Sequence, residues 1–440
     1  MNRNDRSIVG LTMLAHGMVH TYELSIPIFI PIWLAEFDVV ALGPVEVAVT
    51  SATLGLLVTV GYGLFGLGAL PSGVLVDRVG SSRLITACLV GMAAAFVLLG
   101  VAPGLVAITL AMVVWGVSAS VYHPAGLALL SKGVEERGTG FAYHGIAGNL
   151  GIGLGPLLTT LMLLFLGWRT AAAVLAAPAL LAALYAVRAS FDETAAVDAA
   201  VDGGEEAGDS KADAGVDSLS EFVAESRVLF SGSFALVFLV VMMSGLYYRG
   251  VLTFMPELLD GLPGFDAVVV GSLLPDGIAD VLGGLASREV SPANYVYSGL
   301  LMIGVVGQYV GGKLTDRIPV TTGLLAVFAG LAVVAVLFVP AAQAGLGPLL
   351  AVSALLGFLL FAIQPLYQAT IAEYSPPDDR GLSYGFTYLA NFGVGAAGAA
   401  LAGILLSVVG TDGTFLALAA FPALGAGLAL ALSRVDAVRP

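Results

Sequence analysis

The chain has 440 residues, of which 58% are hydrophobic and only 11% are charged, with a formal net charge of −14. Water-soluble globular chains carry about 25% charged residues, so water is excluded as the main solvent of this surface. Apolar runs recur at about the 20-residue length that spans a bilayer, and lipid requires such runs to be helical. The composition predicts a membrane protein, and because it has no basic patch, a nucleic-acid partner is excluded.

Charges and Gly or Pro breaks divide the apolar runs into twelve predicted helices. The first six centre near Tyr22, Leu57, Ala93, Val117, Gly151 and Leu180, and the second six near Met243, Ile303, Leu331, Phe358, Gly395 and Ala423. The first run continues to about Trp33, which is too long for a signal-peptide core, so we expect it to be retained.

A lone Cys88 excludes an intrachain disulfide and a thiolate cluster, and we predict no metal site and no cofactor.

A polar segment divides these helices into two sets. Residues 191–228 are rich in Asp, Glu, Ala and Gly and are too polar to bury. The predicted domains are therefore a six-helix bundle at 1–190, an acidic linker at 191–228 and a second bundle at 229–440.

Most Lys and Arg fall on the linker side of this layout, which places both termini and the linker in the cytoplasm of a cell-membrane protein. The acid-rich, Lys-poor composition suits a salt-rich cytoplasm, so a halophilic prokaryote is the expected source.

The two sets of helices share a sequence repeat at an offset of about 240 residues. The matching landmarks are Asp77-Arg78 with Asp316-Arg317, His123-Pro124 with Gln364-Pro365, and Asn149 with Asn391. The second half is longer between its first two helices, and we expect the surplus in a loop around residues 260–290. Two halves running in the same direction imply a pseudo-twofold axis along the membrane normal. The predicted fold is an all-α membrane protein with two pseudo-symmetric six-helix bundles.

All four histidines fall in predicted helices of the first half. His16, His20 and Glu23 stand at i, i+4 and i+7, which places them on one helical face. Ionisable groups at membrane depth usually line a cavity, and imidazole titrates near neutral pH. We predict that Glu23, with His16, His20 and His144, couples transport to protons. A set of interhelical hydrogen bonds is the structural alternative.

The second half supplies a different kind of polar residue. Arg249 lies within the seventh predicted helix, where a guanidinium requires an anion, a carboxylate or a water-filled cavity. Binding of an anionic substrate and pairing with Glu23 or Glu373 both remain open. The predicted substrate cavity comprises His123, Tyr247, Arg249, Gln364, Tyr367, Gln368, Tyr384, Tyr388 and Asn391.

The segment from Gly73 through Asp77, Arg78 and Gly80 to Arg83 resembles the G-x-L-x-D-R-x-G signature of the major facilitator superfamily. A shortened copy contains Asp316 and Arg317. The resemblance implies the twelve-helix major facilitator fold. It also implies that the aspartate pairs with nearby arginines and with the N-terminus of the eleventh helix, which would latch the cytoplasmic side. A solvated turn with topogenic charges is the alternative.

A narrower resemblance, to the fosmidomycin-resistance branch of the superfamily, is carried by Tyr122-His123-Pro124 and by the Gly-rich run 148–158, together with His16 and Pro31. It implies proton-driven export of small drugs.

These observations predict a secondary active transporter that exports a drug or metabolite by alternating access, coupled to protons. Uptake of a small organic anion is the alternative within transporters, and a channel or a non-transporting membrane sensor is the alternative from another class. The sequence motifs of ATP-driven pumps and of familiar hydrolases are missing, so we predict no enzyme activity. The expected partners are a small-molecule substrate, protons and the lipid bilayer, and we expect a monomer.

Overall fold

A computed structural model describes residues 1–42, 44–197, 219–262, 265–375 and 380–436 of the chain. The first bundle contains α1 (Arg3–Glu36), α2 (Ser51–Leu67 and Ala69–Val79), α3 (Ser81–Gly100), α4 (Leu105–Ser120 and Tyr122–Gly133), α5 (Arg137–Leu163) and α6 (Trp168–Arg188). The second contains α7 (Phe234–Asp260), α8 (Pro292–Thr315), α9 (Val320–Gln343), α10 (Leu346–Tyr374), α11 (Arg380–Tyr388, Leu389–Val394 and the part of Ala397–Leu418 before Gly410) and α12 (the part of Ala397–Leu418 after Gly410, and Ala420–Asp436). The predicted fold of twelve helices in two bundles is confirmed.

The helices are long and apolar enough to cross a membrane. Nine helical stretches within the described ranges meet this standard, and a tenth does so if the two parts of α2, bent by 47°, form one span. One of the nine, Leu382–Val435, folds back at Gly410 and supplies both α11 and α12. Helix α8 is the remaining one of the twelve, and it carries the polar residues Asn294, Gln308 and Lys313.

Two breaks in these helices have local causes, and a third is a π-helical turn. Pro124 has no backbone N–H to donate to the carbonyl of Ser120, and α4 is interrupted next to that carbonyl, at Val121. Gly410 has a φ of 67°, which glycine adopts without strain, and the chain reverses there between α11 and α12. Residues Leu389–Val394 form a π-helical turn within α11, a feature frequent at functional sites.

The start of α1 and the end of α12 lie on one side of the bundles, called the terminus face below. The opposite side, called the loop face, carries two short hairpins, β1 (Val39–Leu42) with β2 (Val45–Ala48), and β3 (Val268–Val269) with β4 (Glu289–Val290). The all-helical prediction omitted these strands, although the Val-rich segments on either side of the Gly-Pro dipeptide at 43–44 favour the first hairpin. The longer connection of the second half spans residues 261–291, where it was expected.

On the terminus face, two carboxylates cap the ends of helices. Asp5 accepts hydrogen bonds from the backbone N–H groups of Glu135 and Glu136, at the start of α5. Glu193, in the first part of the predicted linker, accepts from the N–H groups of Ser81 and Ser82, at the start of α3. A carboxylate there satisfies free N–H groups and interacts favourably with the helix dipole. The linker also contains a helix, Leu219–Phe230, whereas its residues 198–218 lie outside the described part of the chain.

Candidate functional site

A cavity of about 440 Å³ lies between the two bundles. Its walls come from α1, α4 and α5 of the first bundle and from α7, α8, α10 and α11 of the second. Most of its lining residues lie between mid-membrane depth and the terminus face. Gln368 and Tyr384, near the terminus-face ends of α10 and α11, are exposed in it. The cavity therefore opens toward the terminus face.

On the loop-face side of the cavity, α2 and α11 are in direct contact. The hydroxyl of Thr59 donates to the carbonyl of Ala396 at 3.1 Å and accepts from the N–H of Ala400 at 3.0 Å. A side chain at Gly55 would meet the carbonyl oxygen of Ala399 at 2.7 Å, so a residue without a side chain is required for this approach. These contacts close the cavity from the loop face.

A buried ion pair joins the two bundles next to the cavity. The Arg249 Nη2 atom on α7 donates to Glu23 Oε1 on α1, and the two residues are only 2% and 1% exposed. The other carboxylate oxygen, Oε2, lies 2.6 Å from His20 Nδ1. The guanidinium also stacks over the ring of Tyr62 at 4.0 Å, while the Tyr62 hydroxyl donates to the Glu23 carbonyl. Of the two partners left open for Arg249, the structure selects Glu23, since Glu373 is exposed.

The four histidines form one cluster on the first-bundle side. The rings of His16 and His144 stack with their centroids 3.8 Å apart, and His16 Nε2 lies 3.1 Å from His20 Nε2. His123 lies edge-on to His16 at 5.3 Å and stacks on Tyr388 of the second bundle at 5.5 Å. The spacing along α1 predicted that His16, His20 and Glu23 share one face. His123 and His144 join them only because α4 and α5 pack against α1.

The predicted site residues divide into those that line the cavity and those that do not. The first bundle contributes His16, His20, Glu23, His123 and His144 to the wall. The second contributes Gln364, Tyr367, Gln368, Tyr384, Tyr388 and Asn391. Arg249 lies behind Glu23, outside the wall.

Tyr247 was wrongly assigned to the cavity. It is 1% exposed and packs away from the cavity, and the adjacent Tyr248 lines the wall. Successive residues of a helix point about 100° apart, so only one of two neighbouring tyrosines can face the cavity.

Sequence reasoning missed several lining residues. Ser244, Tyr248, Gln308, Asn149 and Thr387 all contribute to the wall. Ser244 and Tyr248 stand at i and i+4 on α7, and Gln308 is an amide within an otherwise apolar helix face. Both signals are visible in the sequence, but each is also common in helices that merely pack.

Comparisons with known proteins agree with this architecture. The family model described as Major Facilitator Superfamily matches residues 9–288 and 261–440. The chain belongs to the major facilitator superfamily. It is a multi-pass membrane transporter and not an enzyme.

Solved structures of other transporters share the fold of this superfamily member at low sequence identity. A mutant of the nucleoside transporter NupG superposes with a TM-score of 0.71 at 12% identity, covering 98% of this chain and 100% of that one. A bacterial homologue of the human lysosomal transporter Spinster, inward-facing and unoccupied, gives 0.68 at 15% identity, covering 99% and 98%. The uncharacterized MFS-type transporter YfnC of Bacillus subtilis (strain 168) is 36% identical over 133 residues, 28% of this chain and only 30% of that protein.

The superfamily signature of this transporter lies at the terminus face, between α2 and α3. Asp77 Oδ1 is 3.7 Å from Lys132 Nζ of α4, and both side chains are solvent-exposed. Gly80 ends the second part of α2 with a φ of 88°. Gly73, Arg78 and Arg83 are exposed, and so are Asp316 and Arg317 at the end of α8. Asp77 therefore pairs within its own bundle, and the latch onto α11 stays a prediction.

We expect Asp77→Asn to slow transport several-fold and to leave equilibrium substrate binding within a few-fold, because Asp77 lies at the membrane surface, away from the cavity. Transport rates and binding in proteoliposomes would measure the two effects separately. Lys132→Gln removes the same ion pair from the other side and should reproduce the result. Loss of binding in a folded, inserted Asp77→Asn protein would contradict a gating role.

Proposed function

We propose that this transporter moves a small solute by alternating access and couples that movement to protons at Glu23. The supporting observation is the Glu23–Arg249 ion pair, which is buried next to the cavity and joins α1 of one bundle to α7 of the other. A proton on Glu23 removes the charge that holds Arg249. Protonation at a single atom therefore changes a contact between the two bodies that must rock against each other.

The wall chemistry supports a solute of mixed polarity. Imidazoles and a carboxylate face it from the first bundle, and tyrosine hydroxyls and amides face it from the second. An aromatic ring with a polar tip packs against an apolar solute surface and still hydrogen-bonds to it. We propose export of a drug or metabolite against an incoming proton, as in the fosmidomycin-resistance branch.

A second candidate, uptake of a small organic anion, is supported by Arg249. Its Nε atom is buried and has no acceptor among the described residues. Once a proton neutralises Glu23, the guanidinium requires another anion, which the solute itself would supply. In that cycle the proton and the solute move in the same direction.

We place the transporter in the cell membrane with the terminus face cytoplasmic, in a halophilic prokaryote. The Lys/Arg bias and the acid-rich composition support this placement. A topology reporter inserted after Ala200 that responds as extracellular would overturn the orientation.

Counterflow in proteoliposomes, with a panel of amphipathic drugs, neutral metabolites and organic anions, tests the function. Net downhill flux of each solute identified in this way is then measured with a pH-sensitive dye in the lumen, because exchange alone requires no net proton movement. Protons that move opposite to a transported solute indicate export, and protons that move with it indicate uptake. Transport of a panel solute without any proton movement would contradict coupling in either direction.

A further inference from the structure

Three of the clustered imidazoles converge on one point of the cavity wall. One ring nitrogen from each of His16, His20 and His123 lies within 4.8 Å of those of the other two. His16 and His123 are more than nine-tenths buried, and the Nε2 atom of His123 has no hydrogen-bond partner among the described residues. A buried polar atom without a partner is uncommon in folded proteins and calls for a ligand, an ion or a water molecule.

The hydrogen bonds of the two α1 histidines fix where their ring protons lie. His16 Nδ1 is 2.7 Å from the carbonyl oxygen of His144, which can only accept, so this nitrogen carries a hydrogen. His20 Nδ1 is 2.6 Å from Glu23 Oε2, and a carboxylate likewise accepts. In the neutral rings, neither Nε2 atom therefore carries a hydrogen, and each presents a lone pair. They nevertheless face each other at 3.1 Å, a repulsive arrangement unless a positive charge lies between them.

A bound metal ion satisfies this arrangement. Two imidazole nitrogens on one tetrahedral zinc ion, each at about 2.0–2.1 Å, are separated by about 3.3–3.4 Å. The observed 3.1 Å between the His16 and His20 nitrogens is close to that spacing. The His123 nitrogen, within 4.8 Å of the other two, has to move closer to complete the ligand set. The Nδ1–H of His20 directed at Glu23 is the carboxylate–histidine pairing that typically orients a metal-ligating imidazole.

Although the sequence alone predicted no metal site, we propose that His16, His20 and His123 bind a divalent transition-metal ion of the zinc, cobalt or nickel class. Neutral imidazole nitrogens suit these ions, whereas Ca²⁺ and Mg²⁺ require oxygen ligands. Glu23 positions His20 and does not itself bind the ion. The fourth coordination position faces the cavity, where water or a solute completes the tetrahedron.

Metal binding to the full-length purified protein tests this site without any transport assay. Tetrahedral Co²⁺ with three imidazole ligands should give strong visible absorption at a stoichiometry of one ion per chain, and added Zn²⁺ should displace it. Excess Ca²⁺ throughout the titration would occupy the carboxylates of the acidic linker. Replacing any one of the three ligands, for example His123→Gln, should weaken Co²⁺ binding by at least about tenfold.

His144→Gln is the matched control, because His144 belongs to the same cluster but lies outside the three-nitrogen set. It should retain the absorption and the stoichiometry. Glu23→Gln keeps all three ligands and should weaken binding about 10–100-fold, as expected for a group that orients a ligand. The proposal fails if Co²⁺ does not bind the folded protein, or if binding is unchanged in all three ligand variants, which would place the ion elsewhere.

Discussion

Glu23→Gln is expected to abolish accumulation of the substrate driven by a pH gradient and to leave downhill exchange intact. Glutamine has nearly the size of glutamate and mimics its protonated form, so the cavity keeps its shape while the coupling charge is lost. The side chain is 1% exposed and contacts Arg249 of the other bundle, which makes it the group where a proton most directly alters the contact between the bundles. Proteoliposomes with an imposed pH gradient, and counterflow without one, would separate the two activities.

Glu36→Gln is the matched control. Glu36 also pairs with an arginine, Arg169 Nη1 at 2.6 Å, but at the loop face, partly exposed and within one bundle. Its replacement should preserve both accumulation and exchange. If Glu23→Gln vesicles still concentrate substrate in response to the gradient, the coupling group lies elsewhere, and His144 is the next residue to replace.

Arg249→Met is expected to destabilise the folded protein strongly, by about 3–5 kcal/mol, because it leaves the Glu23 carboxylate buried without its partner. The double variant Glu23→Gln with Arg249→Met should recover much of this loss, since it removes both charges. Thermal unfolding in detergent should show the wild type as the most stable, the double variant as intermediate and the single variant as the least stable. A single variant as stable as the wild type would show that water or another group already satisfies Glu23.

Arg169→Met removes the corresponding partner from Glu36. Its effect should be under about 1 kcal/mol, because partly exposed ion pairs contribute little to stability. The comparison separates the cost of a buried unpaired charge from the general effect of replacing an arginine.

The architecture could be predicted from the sequence because lipid imposes a strict pattern on it. Each span must be apolar and helical, and landmarks such as Asp77 with Asp316 reveal the repeat directly. Shorter elements were harder to predict from the sequence. The hairpin after α1 and the chain reversal at Gly410 depend on turns of a few residues, and an apolar run continues through Gly410 without interruption.

The candidate site could be predicted only where it lies along a single helix. Periodicity placed His16, His20 and Glu23 on one face, because neighbours on a helix follow from geometry alone. The choice between Glu23 and Glu373 as the partner of Arg249 depends on how α1, α7 and α10 pack, which no local spacing encodes. The choice between Tyr247 and Tyr248 likewise depends on the rotation of α7 about its own axis.

The π-helical turn of α11 has a mechanical consequence. On its loop-face side, α11 is held against α2 by the hydrogen bonds of Thr59. On its terminus-face side, residues 380–388 carry the cavity residues Tyr384 and Tyr388. A π turn interrupts the regular i to i−4 hydrogen bonding, so it provides a hinge between a fixed half and a movable half. We therefore expect closure of the entrance to bend α11 at this turn and to move its first two helical turns, while the seal at the loop face stays intact.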